Sequence, residues 1–93
     1  MVTAIVLIDI EPTEISEAAQ AIADLAGVQA VYSCAGDVDV IAVVQADDHE
    51  GIASIIPEHI GRVRGVKSTV THIAFRSYSK RDGDDAFSIG MHA

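Results

Sequence analysis

The sequence predicts an α+β domain in the order β-α-β-β-α-β, a four-stranded antiparallel sheet with two helices on one face. Three observations carry that prediction. Along the chain the hydrophobic period switches in that order between two residues and about 3.6. Gly27-Val28 and Gly65-Val66, 38 residues apart, each close a helical stretch and open a strand-like one, so the chain reads as two similar halves. Ninety-three residues make one domain, and 49% of them are hydrophobic. A chain of this length buries only roughly 60 to 65% of the surface its extended form exposes. A mean hydropathy of +0.32 is therefore high, and the surplus apolar surface is expected to be covered in an oligomer.

The first run, from Val2 to Glu11, is rich in β-branched residues and stops at Pro12, which cannot donate to a ladder. Its nearly continuous apolar character suits a central strand, with Asp9 and Glu11 at an exposed far end. From Thr13 the apolar residues Ile15, Ala18, Ala19, Ile22 and Leu25 fall at helical spacing, with Glu14 and Glu17 in the first turns. Thr13 is expected to cap this helix, and Gly27 to end it in a left-handed conformation.

Val28–Ala35 and Val38–Ala46 are predicted strands joined by a tight turn at Gly36-Asp37, with room for a slightly longer turn from Ala35. In the second of them Val38, Val40, Ala42, Val44 and Ala46 share one face, yet Ile41 and Val43 make the other face apolar too. Asp48 is the expected cap of a second helix carrying Ile52, Ile55, Ile56 and Ile60 on one side. Pro57 lies inside that pattern and predicts a kink or a change of pitch near Ser54–Ile56. The last strand, Val66–Arg76, alternates Val66, Ser68, Val70, His72, Ala74 and Arg76 against Lys67, Thr69, Thr71, Ile73 and Phe75. Both helices then lie on one side of the sheet, and the aliphatic residues on its bare side predict dimerisation face to face.

Composition excludes several classes. A single Cys34 makes no intrachain disulfide and no zinc-finger spacing is present, which points to a reducing compartment. No apolar run approaches the roughly 18 residues of a membrane span, and no basic segment precedes an N-terminal apolar run as in a secretory signal, so a cytoplasmic protein is expected. The formal charge of −8 argues against direct binding to nucleic acid. That charge is uneven: residues 1–59 hold 11 acidic side chains and no Lys or Arg, while residues 60–93 hold 6 basic and 3 acidic ones. The two surfaces either meet between subunits or are simply solvated.

No catalytic constellation emerges, and no metal or cofactor site. His49, His59, His72 and His92 form no short-spaced ligand pair, and Cys34 has no partner base at fixed spacing. Arg62 and Arg64 stand where they complement the C-terminal end of the second helix, or else bind an anion. Asp37 and Asp39, two apart beside the turn, can take an ammonium group, chelate a cation or solvate the loop.

Gly27-Val28, the segment Cys34-Ala35-Gly36-Asp37-Val38-Asp39-Val40 and the segment Gly65-Val66-Lys67-Ser68-Thr69-Val70-Thr71-His72-Ile73 together resemble the effector-binding domain of the Lrp/AsnC family of amino-acid-responsive regulators, over about Thr3–Arg76. The resemblance implies a ferredoxin-like fold over residues 1–76, a homodimer formed through the sheet, and dimers joined into a ring, most often an octamer. It also implies a small amino-acid effector held where dimers meet. On that basis Gly36 gives close backbone approach, Asp37 and Asp39 orient the amino group, and Ser68, Thr69 and Thr71 supply hydroxyls. Residues 77–93 are then a C-terminal tail, free or packed on a neighbour.

Full-length members of that family carry a helix-turn-helix DNA reader before this domain, whereas here the first strand starts at Val2. The expected protein is thus a stand-alone module that senses an effector or modulates a full-length relative by mixed assembly, with no membrane and no direct nucleic-acid contact. Two other readings compete: a small dimeric ferredoxin-like enzyme such as a cofactor-free oxygenase or isomerase, and a pure assembly domain. An enclosed polar cavity within one subunit would favour the enzyme.

Overall fold

A computed structural model describes residues 1–80, and its sheet is built around β1 (Val2–Ile10). As its apolar sequence predicts, β1 is flanked on both sides. It pairs antiparallel with β3 (Val40–Ala46) and β4 (Val66–Ala74), and β3 pairs with β2 (Val28–Ser33), giving the order β2-β3-β1-β4. Alternation sorts the side chains: Ala4, Val6, Ile8 and Ile10 are buried, while Ile5 and Leu7 on the other face are half-buried. Val40, Ala42 and Val44 of β3 repeat this, against half-buried Ile41 and Val43. Of the tail expected over residues 77–93, the part from residue 81 onward, with His92, lies outside the described residues.

The helices cover one face of the sheet. α1 (Ile15–Ala23) buries Ala18 and Ile22 and packs Ile15, Ala19 and Leu25 beside them, as the stripe predicted. Each fully buried aliphatic side chain here contributes about 1.5–3 kcal/mol relative to exposure. Thr13 does not cap α1. Pro12 opens a 3-10 turn over Pro12–Glu14, so the α-helix starts one residue later and Glu14 takes the N-cap position without a side-chain hydrogen bond. Gly27 has a φ of +90°, and its carbonyl accepts from Gln45 N at 2.8 Å. An added Cβ there would lie 2.6 Å from Ile55 Cδ1 and 3.2 Å from Gln45 O, so a side chain is strained by the backbone conformation and requires Ile55 to shift.

α2 (His49–Ser54) is capped as expected, with Asp48 Oδ1 accepting from Gly51 N at 2.9 Å. At Ile55 it widens into a π-helical turn over Ile55–His59 and then tightens into a 3-10 turn over Ile60–Arg62. Pro57 lacks an N–H to continue the α-helical ladder, and the pitch changes around it. Ile52, Ile56 and Ile60 nevertheless all stay buried. In a straight α-helix residues four apart rotate by about 40° at each step, so the wider turn helps hold this row against the sheet.

Two features differ from the sequence expectation. The hairpin strands end at Ser33 and begin again at Val40, and Cys34 N donates to Asp39 O at 2.9 Å to close a longer loop. Asp39 Oδ2 accepts from Ile10 N at 2.9 Å, a side chain standing where a longer β3 would offer a carbonyl. The second is a β-bulge: Asp9 pairs with Ser68 but Ile10 with Val66, leaving Lys67 between. Val66 therefore shares the helix-covered face with Thr69, Thr71 and Ile73, and not, as strict alternation predicts, the face of Ser68.

The opposite face of the sheet is uncovered within the described residues. Two apolar rows cross it, Tyr32-Ile41-Leu7-Val70 and Ala30-Val43-Ile5-His72. Tyr32 and Val70 are 56% and 54% exposed. At its two ends Gln45 Nε2 donates to Thr3 Oγ1 at 3.2 Å and Ser68 Oγ to Asp9 Oδ2 at 3.1 Å.

Candidate functional site

β1 is antiparallel to both its neighbours, so its C-terminal end lies beside the start of β3 and the start of β4. The hairpin loop between β2 and β3, the Asp9–Glu11 end of β1 and the Gly65–Ser68 segment thus meet at one end of the sheet, where Glu11 N donates to Gly65 O at 2.8 Å. This gathers most of the sequence-predicted site. Gly36 has a φ of +135° and nothing within 4 Å of an added Cβ, so the loop backbone, not crowding, requires glycine. Asp37 is exposed beside it.

Asp39 is half-buried, and its carboxylate is engaged by Ile10 N, which gives it a structural task in closing the end of β1. Ser68 stands across Asp9 on the other side of β1 and donates to it. Thr69 and Thr71, opposite Ile8 and Val6, point to the helix-covered face instead. The six residues therefore divide between the two sides of the sheet. Asp9, seated between Asp39 and Ser68, is the residue that sequence reasoning treated only as an exposed strand end.

Both signs of charge are present at this end. Asp9, Glu11, Asp37 and Asp39 lie on the β1–β3 side, and Arg62, Arg64 and Lys67 precede or open β4. Arg64 Nε sits 2.8 Å from Glu14 Oε1, but the arginine side chain is 92% exposed, so this pair contributes little and Arg64 is accessible to an anion. A zwitterion carrying an ammonium and a carboxylate finds groups for each within the same rim.

Three grooves are present among the described residues. One of about 660 Å³ sits at the opposite end of the sheet between Gly27, Gln45, Asp48 and Ile55. One of about 360 Å³ adjoins the charged rim, lined by Glu14, Glu17, Ala21, Val63 and Arg64, and one of about 310 Å³ lies between α1 and β2 at Ala19 and Val31. None of the three is lined by Gly36, Asp37, Asp39, Ser68, Thr69 or Thr71. Among the described residues no three His, Cys, Asp or Glu side chains come together as a metal site, and no helix is long and apolar enough to cross a membrane. Cys34 is half-buried, its thiol 3.6 Å from Tyr32 O.

Comparison with known proteins follows the same residues. The family model of the Lrp/AsnC ligand binding domain matches residues 3–84. An uncharacterised HTH-type transcriptional regulator of Pyrococcus furiosus is 36% identical over 76 residues, which make up 78% of this chain and 51% of that protein. The chain spans about half the length of the curated relatives it matches. A crystal structure from Thermus thermophilus is similar with a TM-score of 0.80 at 36% identity, covering 86% of this chain and 100% of that one. A feast or famine regulatory protein of M. tuberculosis, solved with L-methionine, shares the fold: its TM-score is 0.72 at 22% identity, over 87% of this chain and 55% of that one.

Proposed function

Because the chain belongs to the Lrp/AsnC ligand binding domain family, we propose that it is an amino-acid-binding and assembly module of transcriptional regulation, with the effector held where neighbouring subunits meet. One observation carries this reading. Gly36, Asp37, Asp39 and Ser68 gather at one end of the sheet, at the rim of the open face. A site at the rim of a face that a second copy covers is completed by that copy. Asp37, exposed in the loop, takes the ammonium group; Asp39 shapes the loop through Ile10 N. Ser68 offers a hydroxyl from the open side, and Thr69 and Thr71 offer theirs from the helix side. The L-methionine bound by the M. tuberculosis protein supports the chemical class of the effector.

The same proposal covers assembly. Two copies pair through the open sheet face, burying the rows that cross it at Ile5, Leu7, Ile41 and Val43, and the dimers join into a ring, an octamer by family resemblance. In this proposal the module acts in the cytoplasm, through assembly with a full-length regulator rather than through direct contact with DNA. Its relatives are regulators rather than enzymes.

Calorimetry with a panel of amino acids, together with the assembly mass by light scattering, tests the proposal. Saturable binding by an assembly larger than a monomer is the expected result. Assembly without binding of any amino acid would favour the pure assembly domain, and a monomer that binds none would overturn the proposal.

A further inference from the structure

We infer that residues 75–80, the segment that follows β4, seat in the groove of about 660 Å³ on a second copy of this chain, with two copies exchanging these segments end to end. Segment and groove are both described surfaces of the one chain. The contact is separate from the open sheet face and from the effector site, and stands or falls without either.

The groove has an acidic rim over an apolar floor. It lies where α1 and β3 end and α2 begins, with Asp24, Asp47 and Asp48 around it and half-buried Leu25 and Ile55 lining it. None of its lining residues is Lys or Arg, and the negative end of the α1 dipole borders it. Asp48 is engaged as the cap of α2 and Asp24 accepts from Gln20 Nε2 at 3.1 Å. The Asp47 carboxylate is exposed and has no hydrogen-bond or ion-pair partner among the described residues.

The segment is the complement of that groove. Phe75-Arg76-Ser77-Tyr78-Ser79-Lys80 holds two basic residues, two aromatic ones and no acid. Phe75 is 93% exposed and Tyr78 85%, the two most exposed large hydrophobic side chains among the described residues, and Arg76 is exposed between them. An aromatic side chain covers roughly 150–250 Å² when buried, so the pair matches a groove of this size. At a formal charge of −8 two copies repel, and a basic segment laid over an acidic rim turns that repulsion into attraction at the point of contact.

Position selects a second copy. Ala74, the last residue of β4, pairs with Thr3, and Thr3 pairs with Gln45, which lines the groove. The segment thus leaves the sheet two strand spacings, roughly 10 Å, from the groove of its own chain. Phe75 follows Ala74 directly, one residue of chain extends only about 3.3–3.6 Å, and the exposure of both aromatic rings leaves them outside that groove. Two copies meeting at this end each bring a segment to the other's groove. The exchange is reciprocal about a twofold axis, so it closes at a pair and does not run on as a fibre.

The chain contains no Trp, so Tyr78→Trp places a single reporter in the segment. Emission of this full-length chain is followed from nanomolar to high micromolar concentration at one ionic strength, with sedimentation mass on the same samples and circular dichroism to confirm the fold. Emission should move to the blue as copies associate. Asp47→Arg or Arg76→Asp, each added to the reporter chain, should raise the midpoint concentration at least about tenfold, and the two together, which restore both the opposed charges and the net charge of −8, should recover most of that loss. Glu17→Arg, on α1 outside this groove, changes the net charge as much as Asp47→Arg and should not raise the midpoint. Solvent-exposed emission at every concentration, an Asp47→Arg chain that associates like its parent, or a double variant no better than the single ones overturns the contact. Blue emission that persists on dilution to monomer mass shows the segment in its own groove and overturns the exchange.

Discussion

Asp39→Ala should cost stability that Asp37→Ala does not. The Asp39 carboxylate accepts from Ile10 N at 2.9 Å, and Ile10 is fully buried at the end of the central strand. A hydrogen bond to a charged group contributes about 1.5–3 kcal/mol. Asp39 is only half-buried, so water replaces part of the lost acceptor and the expected cost is about 1–2 kcal/mol. For a domain of this size that lowers Tm by roughly 5–15 °C. Both variants remove one negative charge from a chain at −8, so any gain from reduced repulsion is common to the two, and their difference isolates the hydrogen bond. Asp39→Asn keeps a neutral acceptor and should recover about half of the loss. Thermal and urea unfolding at one fixed protein concentration gives the stabilities, and calorimetry of the same proteins with the bound amino acid gives the affinities. Asp37→Ala should weaken binding at unchanged stability. An Asp39→Ala protein that unfolds at the wild-type midpoint, or an Asp37→Ala protein that falls as far, would refute the structural task given to Asp39.

Gly27→Ala places a Cβ 2.6 Å from Ile55 Cδ1 and 3.2 Å from Gln45 O at a φ of +90°, and chemical denaturation should register a loss of about 1–3 kcal/mol. Arg64→Ala removes an ion pair whose arginine is 92% exposed, and the same assay should read a change within about 0.5 kcal/mol despite the 2.8 Å contact. Ile41→Lys puts a charge at the centre of the open sheet face; light scattering should report dissociation of the dimer, with circular dichroism unchanged.

Sequence reasoning succeeds here where the determinant is local. Asp48 caps α2 because an aspartate before an apolar helical run has few other things to do, and Pro57 announces a change of pitch because its missing N–H is covalent fact. The order of elements and the bare apolar face follow from period alone. Thr13 misled because Pro12 imposes a 3-10 turn first, a competition between two adjacent residues that residue types do not decide. The length of the hairpin loop depends on the side chain of Asp39 reaching the main chain of Ile10, 29 residues away in sequence, which no local pattern encodes. For the site, topology alone brings the loop and Ser68 to one end of the sheet. Their separation from Thr69 and Thr71 follows from strand parity, but the face taken by Val66 does not, because a valine fits either side and the bulge that moves it has no signature in an alternating sequence.

The bulge at Lys67 is, in effect, a spare residue in the ladder. With Ser68 opposite Asp9 and Val66 opposite Ile10, removing Lys67 would leave a regular strand with every other partner in place. A related chain lacking that residue would align with a one-position gap here while its sheet superposed without one. Roles transferred by counting outward from Gly65 would then slip by one, and serine and valine would exchange faces on paper while staying where they are in space.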